Sequence, residues 1–369
     1  MAIGLVGASD LTYDTKARLG EALFFDVNLS RHRTQSCATC HDPDYAFTDK
    51  RPTAAGLAVS LGDDGVSVGD RNTPTAGYAS FSPIFHQMQD GNYRGGQFLD
   101  GREPDLAGQA GGPPLNQVEM GMESKEAVVA RLLENEDYIM AFDAHFGDGI
   151  LNDPEKGYKA MQESIAAFEM TPYFAPFDSK YDRFLRGEAE LTDQEELGRL
   201  LFFSQQFTNC NQCHQLSTSQ ISPEETFSNY EYHNIGVPVN ARARAANGVE
   251  NGFVDPGLVN NPAVSDPSQL GKFKVPTLRN VAVTAPYMHN GVFEDLRTTV
   301  KFYNKYNSKA ASAQINPETG QSWGVPEVEG TLSMEELKHG PALDARRIDA
   351  LVAFMKTLTD KRYEHLLTD

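Results

Sequence analysis

The chain has 369 residues, 40% of them hydrophobic and 22% charged, a composition that suits two ordinary globular domains and excludes a disordered or membrane protein. No apolar run approaches the length of a membrane span. Against 32 basic residues stand 51 acidic ones, a formal net charge of −19, which repels nucleic acid and favours basic partners.

Residues 1–10 contain no basic n-region and no sustained apolar h-region, so the chain is expected to be a mature form or to start after a leader. Leu19-Gly20 followed by Leu23-Phe24-Phe25 reads as a helix that delivers the chain to Cys37, Cys40 and His41. Residues 52–122 are rich in Gly, Pro and Asn, including Asn72-Thr73-Pro74 and Gly111-Gly112-Pro113-Pro114. A loop of that length is usually functional or disordered. Its aromatics Tyr78, Phe81, Phe85, Tyr93 and Phe98 argue for a packed loop. Helices are expected over 124–146 and over 154–170, the second with Tyr158, Met161, Ile165 and Phe168 on one face. A boundary between Phe177 and Gly187 divides the chain into domains 1–180 and 181–369. Past it, a capping box of Thr192 with Glu195 starts a helix in which Leu197-Gly198 and Leu201-Phe202-Phe203 repeat the earlier pattern. That helix leads to Cys210, Cys213 and His214. A second irregular region follows over 217–274, and a last helix is expected over 344–358. Strand signals are sparse, so the fold class is mainly α.

Each Cys-x-x-Cys-His segment reads as a site of covalent haem attachment. Two thiols three positions apart on a helical turn each add to one haem vinyl group, and the adjacent histidine takes the iron from one side. The two segments consume all 4 cysteines of the chain and leave none for a disulfide. A shared zinc site needs no histidine after each pair, and a thioredoxin-like pair needs a preceding strand. Haems of this type are attached outside the bacterial cytoplasm, so the protein is expected to be exported and periplasmic.

Longer stretches carry a family resemblance. Ser36-Cys37-Ala38-Thr39-Cys40-His41-Asp42-Pro43, Gly69-Asp70-Arg71-Asn72-Thr73-Pro74, Glu231-Tyr232-His233-Asn234-Ile235-Gly236, Val275-Pro276-Thr277-Leu278-Arg279-Asn280, Ala285-Pro286-Tyr287-Met288-His289-Asn290-Gly291 and Phe302-Tyr303-Asn304-Lys305-Tyr306 resemble the bacterial di-haem cytochrome c peroxidases, above all the MauG-type members. The resemblance covers nearly the whole chain. It implies two cytochrome c-like domains with their haems facing a shared interface.

On this resemblance the first haem has His41 as proximal ligand and an open distal side. Better-known members close that iron with a histidine from the following loop, but no histidine occurs between His41 and His86, and residues 61–69 offer only carboxylates and small side chains. Glu119 matches the family's distal glutamate, and Gln109 and Pro113 its distal-pocket glutamine and proline. Read from its residues alone, Glu119 is a solvated loop acid. For the second haem, His214 is proximal, and Met288, His289, His233 and Tyr303 are candidates for the opposite face. Met/His and His/His pairs are the common ligations, whereas the family pattern after Leu296-Arg297-Thr298-Thr299-Val300 lands on Tyr303. A phenolate is a hard anionic ligand that favours oxidised iron. The resemblance further implies one calcium ion held by Asn72, Thr284 and Pro286, oxygen donors of the kind calcium takes.

Two departures stand out. MauG-type members place a tryptophan between the haems where this chain has Leu99, and a surface tryptophan two residues before the second motif where it has Thr208. Trp323, the only tryptophan, lies elsewhere. Phe98, Phe207, Tyr230 and Tyr287 are conceivable substitutes, and none is assigned a relay role.

The expected function is therefore reduction of hydrogen peroxide at the first haem, with high-valent haem oxidising an external partner. That partner is either a protein side chain, as in tryptophan tryptophylquinone formation on a methylamine dehydrogenase precursor, or a small cytochrome or cupredoxin that donates electrons for peroxide removal. A non-enzymatic di-haem electron carrier is the remaining alternative.

Overall fold

Thr15 opens the first helix: its hydroxyl accepts from the Arg18 amide at 3.1 Å and satisfies one of the free amides of α1 (Lys16–Phe25). The computed structural model describes residues 11–217, 219, 221–249, 252–338 and 340–368. Residues 1–10, on which the reading of a missing leader rests, lie outside the described residues, as do positions 218, 220, 250 and 251 of the second irregular region.

From α1 the chain passes through the one-turn helix α2 (Cys37–Cys40), a long irregular stretch, α3 (Leu106–Ala110), α4 (Lys125–Leu132), α5 (Glu136–Phe146) and α6 (Pro154–Glu169). There follow α7 (Lys180–Leu185), α8 (Asp193–Phe202), a second one-turn helix α9 (Cys210–Cys213), α10 (Ala241–Asn247), α11 (Leu296–Asn304), α12 (Met334–Leu337) and α13 (Ala345–Lys356). Among the described residues, sheet is confined to two antiparallel pairs: β1 (His86–Gln87) with β2 (Tyr93–Arg94), and β3 (Tyr232–His233) with β4 (Phe273–Lys274). The fold is mainly helical, as the sequence leads one to expect. The single helix expected over 124–146 is two. α4 stops at Leu132, and the Asn135 side chain accepts from the Asp137 amide at 3.0 Å, a local turn that competes with continued helix and caps α5 instead.

The repeated Leu-Gly and Leu-Phe-Phe pattern has a physical cause. A Cβ on Gly20 would stand 1.8 Å from the Ser164 carbonyl oxygen on α6, and one on Gly198 would stand 1.9 Å from the Ala350 carbonyl oxygen on α13. Each glycine is where two helices cross in backbone contact. Beside the crossings Phe24 meets Phe168 with ring centroids 5.6 Å apart, and Phe202 meets Phe354 at 5.2 Å. Two apolar cores grow around these points. One joins Leu19, Leu23 and Phe24 to Phe142, Met161, Ile165 and Phe168. The other joins Leu201 and Phe202 to Phe302, Leu351 and Phe354.

Buried polar contacts fasten the first core's loops to the second. Arg71 holds Asp255 at 2.7 and 2.8 Å and Asp100 at 2.7 Å. Arg279, 1% exposed, holds Asp182 at 2.5 and 2.9 Å and donates to the Glu225 carbonyl at 2.8 Å, between the rings of Tyr78, Phe177 and Phe227. Removing one partner of such a pair strands a buried charge. The segment that carries Leu99 is pinned in the same way. The Gly95 amide donates to the Tyr230 carbonyl at 2.9 Å, the Tyr232 hydroxyl to the Gly95 carbonyl at 2.6 Å, and the Lys274 amide to the Leu99 carbonyl at 2.9 Å.

Candidate functional site

The two Cys-x-x-Cys-His segments are built alike. In each, a one-turn helix carries both cysteines on one side, and the histidine that follows caps it: the His41 amide donates to the Cys37 carbonyl at 2.9 Å, and the His214 amide to the Cys210 carbonyl at 2.8 Å. Both imidazoles place Nδ1 at 3.2 Å from a backbone carbonyl, that of Phe47 for His41 and that of Phe227 for His214. A carbonyl only accepts, so Nδ1 carries the proton and Nε2 presents its lone pair. Phe47 and Phe227 both sit in the left-handed region, at φ 57° and 55°, a conformation that aims their carbonyls at the rings. Burial lowers the proton affinity of both histidines, that of His214 to about 4. Neutral, fixed imidazoles beside free, half-buried cysteines make a donor set that fits covalent haem with one iron ligand each.

Around the first segment, Cys37, Ala38 and Leu115 pack against the core that holds Ala110 and Met120, so segment 106–120 and this site share one core. Gln109 rides on α3 and Pro113 starts the turn that follows. That turn folds back on itself: the Met120 amide donates to the Pro113 carbonyl and the Glu119 amide to the Asn116 carbonyl. Residues 61–68 brace it from outside, with the Asp63 amide donating to the Glu119 carbonyl at 2.7 Å. Gly62 is required here, since a Cβ would lie 2.8 Å from the Val118 carbonyl oxygen. Burial pushes the Glu119 carboxyl up, opposed by Arg102 and a hydrogen bond with Asn116. Its charge is felt at Cys37 and Cys40. Glu119 is therefore half-buried at the Cys37 turn, where its residues alone read as a solvated loop acid. The carboxylates of loop 61–69 are engaged in other ways. Asp63 accepts from the Ser30 hydroxyl at 2.8 Å, the His32 amide at 2.6 Å and the Thr34 hydroxyl at 2.5 Å, and Asp64 caps Val66 and Ser67.

The second segment opens on a cavity of about 390 Å³ that reaches toward the first core's loops. Tyr303, Met288, His289 and His233 all line it with His214. The His289 ring stacks on Phe273 at 3.7 Å, and burial lowers its proton affinity to about 3 against the pull of Asp255. His233 turns Nδ1 toward the Ser333 hydroxyl at 3.3 Å. Tyr303 projects from α11 beside Cys213 and Cys210. Burial pushes its phenol up, and a facing cation would reverse that sign. Asn72, Thr284 and Pro286 line the same cavity. The Asn72 amide nitrogen donates to the Ala58 and Leu57 carbonyls at 3.2 and 3.4 Å, which leaves its oxygen for another partner. Lys50 donates to the neighbouring Ala285 carbonyl at 2.7 Å, so a cation there would share this turn with an ammonium.

The departures are also placed. Leu99 lines the cavity of the second segment. Thr208 is buried and its hydroxyl donates to the Leu201 carbonyl, while Phe207 beside it is 45% exposed. Trp323 is core: it donates to the Ala313 carbonyl at 2.8 Å and packs on Phe293 and Phe302. Two residues that sequence reading passed over stand out as well. Lys274 is a half-buried residue on the cavity wall, and Glu169 is a buried acid that acts on Cys37. Lys274 directly precedes Val275-Pro276, where with Lys272 it reads as a solvated lysine. Glu169 lies mid-pattern in an apolar helix end, where only its mismatch with Met355 in the second copy signals it.

A family model described as di-haem cytochrome c peroxidase matches residues 14–190. The chain is 56% identical to methylamine utilization protein MauG of Paracoccus denitrificans, across 96% of this chain and 91% of that protein. It is 31% identical to cytochrome c peroxidase Ccp of Escherichia coli, across 79% of this chain and 53% of that protein. Among solved structures, the diheme peroxidase BthA of Burkholderia thailandensis superposes with a TM-score of 0.83 at 32% identity, covering 99% of this chain and 91% of that one. No helix among the described residues is long and apolar enough to cross a membrane. The long two-ended match to Paracoccus MauG, together with the paired haem-fitting sites, settles the family: the chain belongs to the di-haem cytochrome c peroxidases, in their MauG branch, and is a haem peroxidase with two c-type haems.

Proposed function

We propose that hydrogen peroxide is reduced at a haem held by Cys37, Cys40 and His41, and that a second haem, held by Cys210, Cys213 and His214 and closed by Tyr303, passes oxidising equivalents to an external protein. The bound haem iron supplies the redox chemistry. What the chain supplies is a proton carrier, a fixed tautomer on each histidine and a chosen ligand field. Breaking the peroxide bond needs a proton moved from the near oxygen to the departing one, and a carboxyl raised by burial can take it and return it. The half-buried Glu119 carboxyl at the Cys37 turn carries this reading. Gln109 and Pro113 shape the wall beside it. The Tyr303 phenolate favours oxidised iron, so the second haem holds an oxidising equivalent better than it stores an electron. Asn72, Thr284 and Pro286 hold a calcium ion between the two sites through oxygen donors. The protein works in the periplasm, where such haems are attached.

Absorption and electron paramagnetic resonance spectra of the ferric protein test the assignment. One high-spin and one low-spin haem are expected, with no thioether-ligated signal. Two low-spin haems would refute an open first iron. Tyr303→His is expected to leave peroxide reacting at the first haem while the second no longer shares the oxidising equivalents.

The external protein is, on the 56% identity to MauG, a methylamine dehydrogenase-like precursor whose side chains are oxidised. A second reading is favoured by Leu99 and Thr208, which leave no indole at either relay position: peroxide removal with electrons from a small cytochrome or cupredoxin. Peroxide-dependent oxidation of a reduced small cytochrome, measured against cross-linking in a quinone-enzyme precursor, separates the two.

A further inference from the structure

Lys274 is an amine in the wrong surroundings for an amine. It lies on β4, its backbone amide donates to the Leu99 carbonyl at 2.9 Å, and its Nζ donates to the Gly96 carbonyl at 2.5 Å. An ammonium has three protons to give, and among the described residues no second acceptor receives one. The side chain lines the cavity that holds His214 and Tyr303. The acid that acts on it is Asp100, but that carboxylate is already taken by Arg71 at 2.7 Å, Arg102 at 2.9 Å and Asn260 at 2.9 Å. Burial pulls the Lys274 ammonium down to about 7, so its charge at neutral pH depends on an anion of its own. Burying a cation without one is costly.

The position is also fixed from both sides. β4 pairs with β3 so that Lys274 stands opposite Tyr232, and the two side chains donate to the consecutive carbonyls of Gly96 and Gly95. Lys274 is thus held rigidly between the second haem site and the loop that carries Leu99.

We propose that Lys274 is the positioning residue and counter-ion for a propionate of the second haem, and that it sets that haem's reduction potential. A propionate is a carboxylate on a rigid apolar plate, and it fits a cavity whose wall offers one unshared ammonium. A cation held against the haem edge stabilises the ferrous form, in which the iron carries less positive charge. It therefore works against the hard phenolate of Tyr303 and keeps the second haem able to accept an electron from outside. The inference rests on the reading that the second haem lies over His214.

The test is a spectroelectrochemical titration of the holoprotein with Lys274→Met and Lys274→Arg. With Met, the second haem's ferric-to-ferrous ratio at fixed potential is expected to rise about tenfold, a shift of ~59 mV to lower potential, while the first haem's potential stays in place. Arg restores the charge and should return the second potential to that of the unsubstituted protein. If Met leaves both potentials unmoved, moves the first haem instead, or moves the second by the same amount as Arg, Lys274 is not the counter-ion. If Met does not load haem, Lys274→Gln takes its place with the same expected shift to lower potential, and an unmoved second potential in that variant refutes the counter-ion. An unaltered low-spin spectrum with an unmoved potential removes Lys274 only. Loss of His214 ligation in the unsubstituted protein's spectrum would instead remove the reading on which it rests.

Discussion

Glu119 and Glu169 both act electrostatically on Cys37, and burial pushes both carboxyls up. Their surroundings give them different work. Glu119 sits in a loop held by Asn116 and Asp63, hydrogen-bonded and half-exposed to the site, so its proton can leave and return. Glu119→Gln keeps the shape and removes the exchangeable proton, and is expected to retain both haems while slowing the reaction with peroxide by about two to four orders of magnitude, read by stopped-flow absorbance. Unchanged kinetics would remove Glu119 from the proposed role. Glu169, 6% exposed, has an oxygen with no hydrogen-bond partner, and burial raises it to about 8. A carboxyl whose folded affinity for protons exceeds its unfolded one keeps its proton in the native state and loses it on unfolding. Stability therefore falls as pH rises from about 4.5 through about 8. Glu169→Gln should abolish most of that slope, on the order of a few kcal/mol across the window. Thermal unfolding of the holoprotein from pH 5 to pH 8 measures it, and parallel curves for the two proteins would contradict a buried neutral acid.

At the scale of elements, the two crossings at Gly20 and Gly198 decide the architecture. Both depend on backbone contact, with a Cβ meeting a carbonyl oxygen at 1.8 Å and 1.9 Å, and backbone cannot step aside as a flexible side chain can. Gly198→Ala should destabilise by ~3 kcal/mol or more, at the upper end of overpacking costs, and Gly20→Ala by a similar amount. A chemical denaturation midpoint within error of the unsubstituted protein would show that the helices can part. The pattern that located these helices was legible in the sequence because a helix crossing repeats its small and aromatic residues at fixed spacing. The haem segments were legible because covalent attachment demands two thiols and a histidine in order. Other parts were not. The break at Asn135 was hidden because apolar residues continue with helical spacing across it, and only the side-chain cap onto Asp137 reveals it. Gly62, which lets loop 61–68 brace Glu119, meets the Val118 carbonyl oxygen, a contact far along the chain that carries no local sign in the sequence. Lys274 and Arg71 owe their importance to partners far away in the chain, Gly96 and Asp255, and long-range pairing leaves no local trace.

The whole molecule carries a formal charge of −19, and haem propionates add to it. Two docking modes follow from its surface. In the chain segment around the second motif, Leu200, Phe207, Leu216 and Ile221 are exposed at 53%, 45%, 36% and 69%, apolar side chains against which a partner seats without charge. Over the chain as a whole 51 acids stand against 32 bases, and a basic partner would be drawn in from a distance before any apolar contact forms. The two modes differ in their response to salt. Attraction between exposed charges is screened over ~10 Å at 0.1 M ionic strength and over ~3 Å at 1 M, while apolar contact is not weakened by salt. With a small basic cytochrome as the reduced partner, the second-order rate constant for its peroxide-dependent oxidation is expected to fall at least tenfold between about 0.01 M and 0.5 M salt, as steered encounters do. A flat profile would place docking on the apolar side chains of that segment. A rate that rises with salt would mean that the partner is itself acidic, and that the charge of this chain keeps it away from partners instead of selecting them.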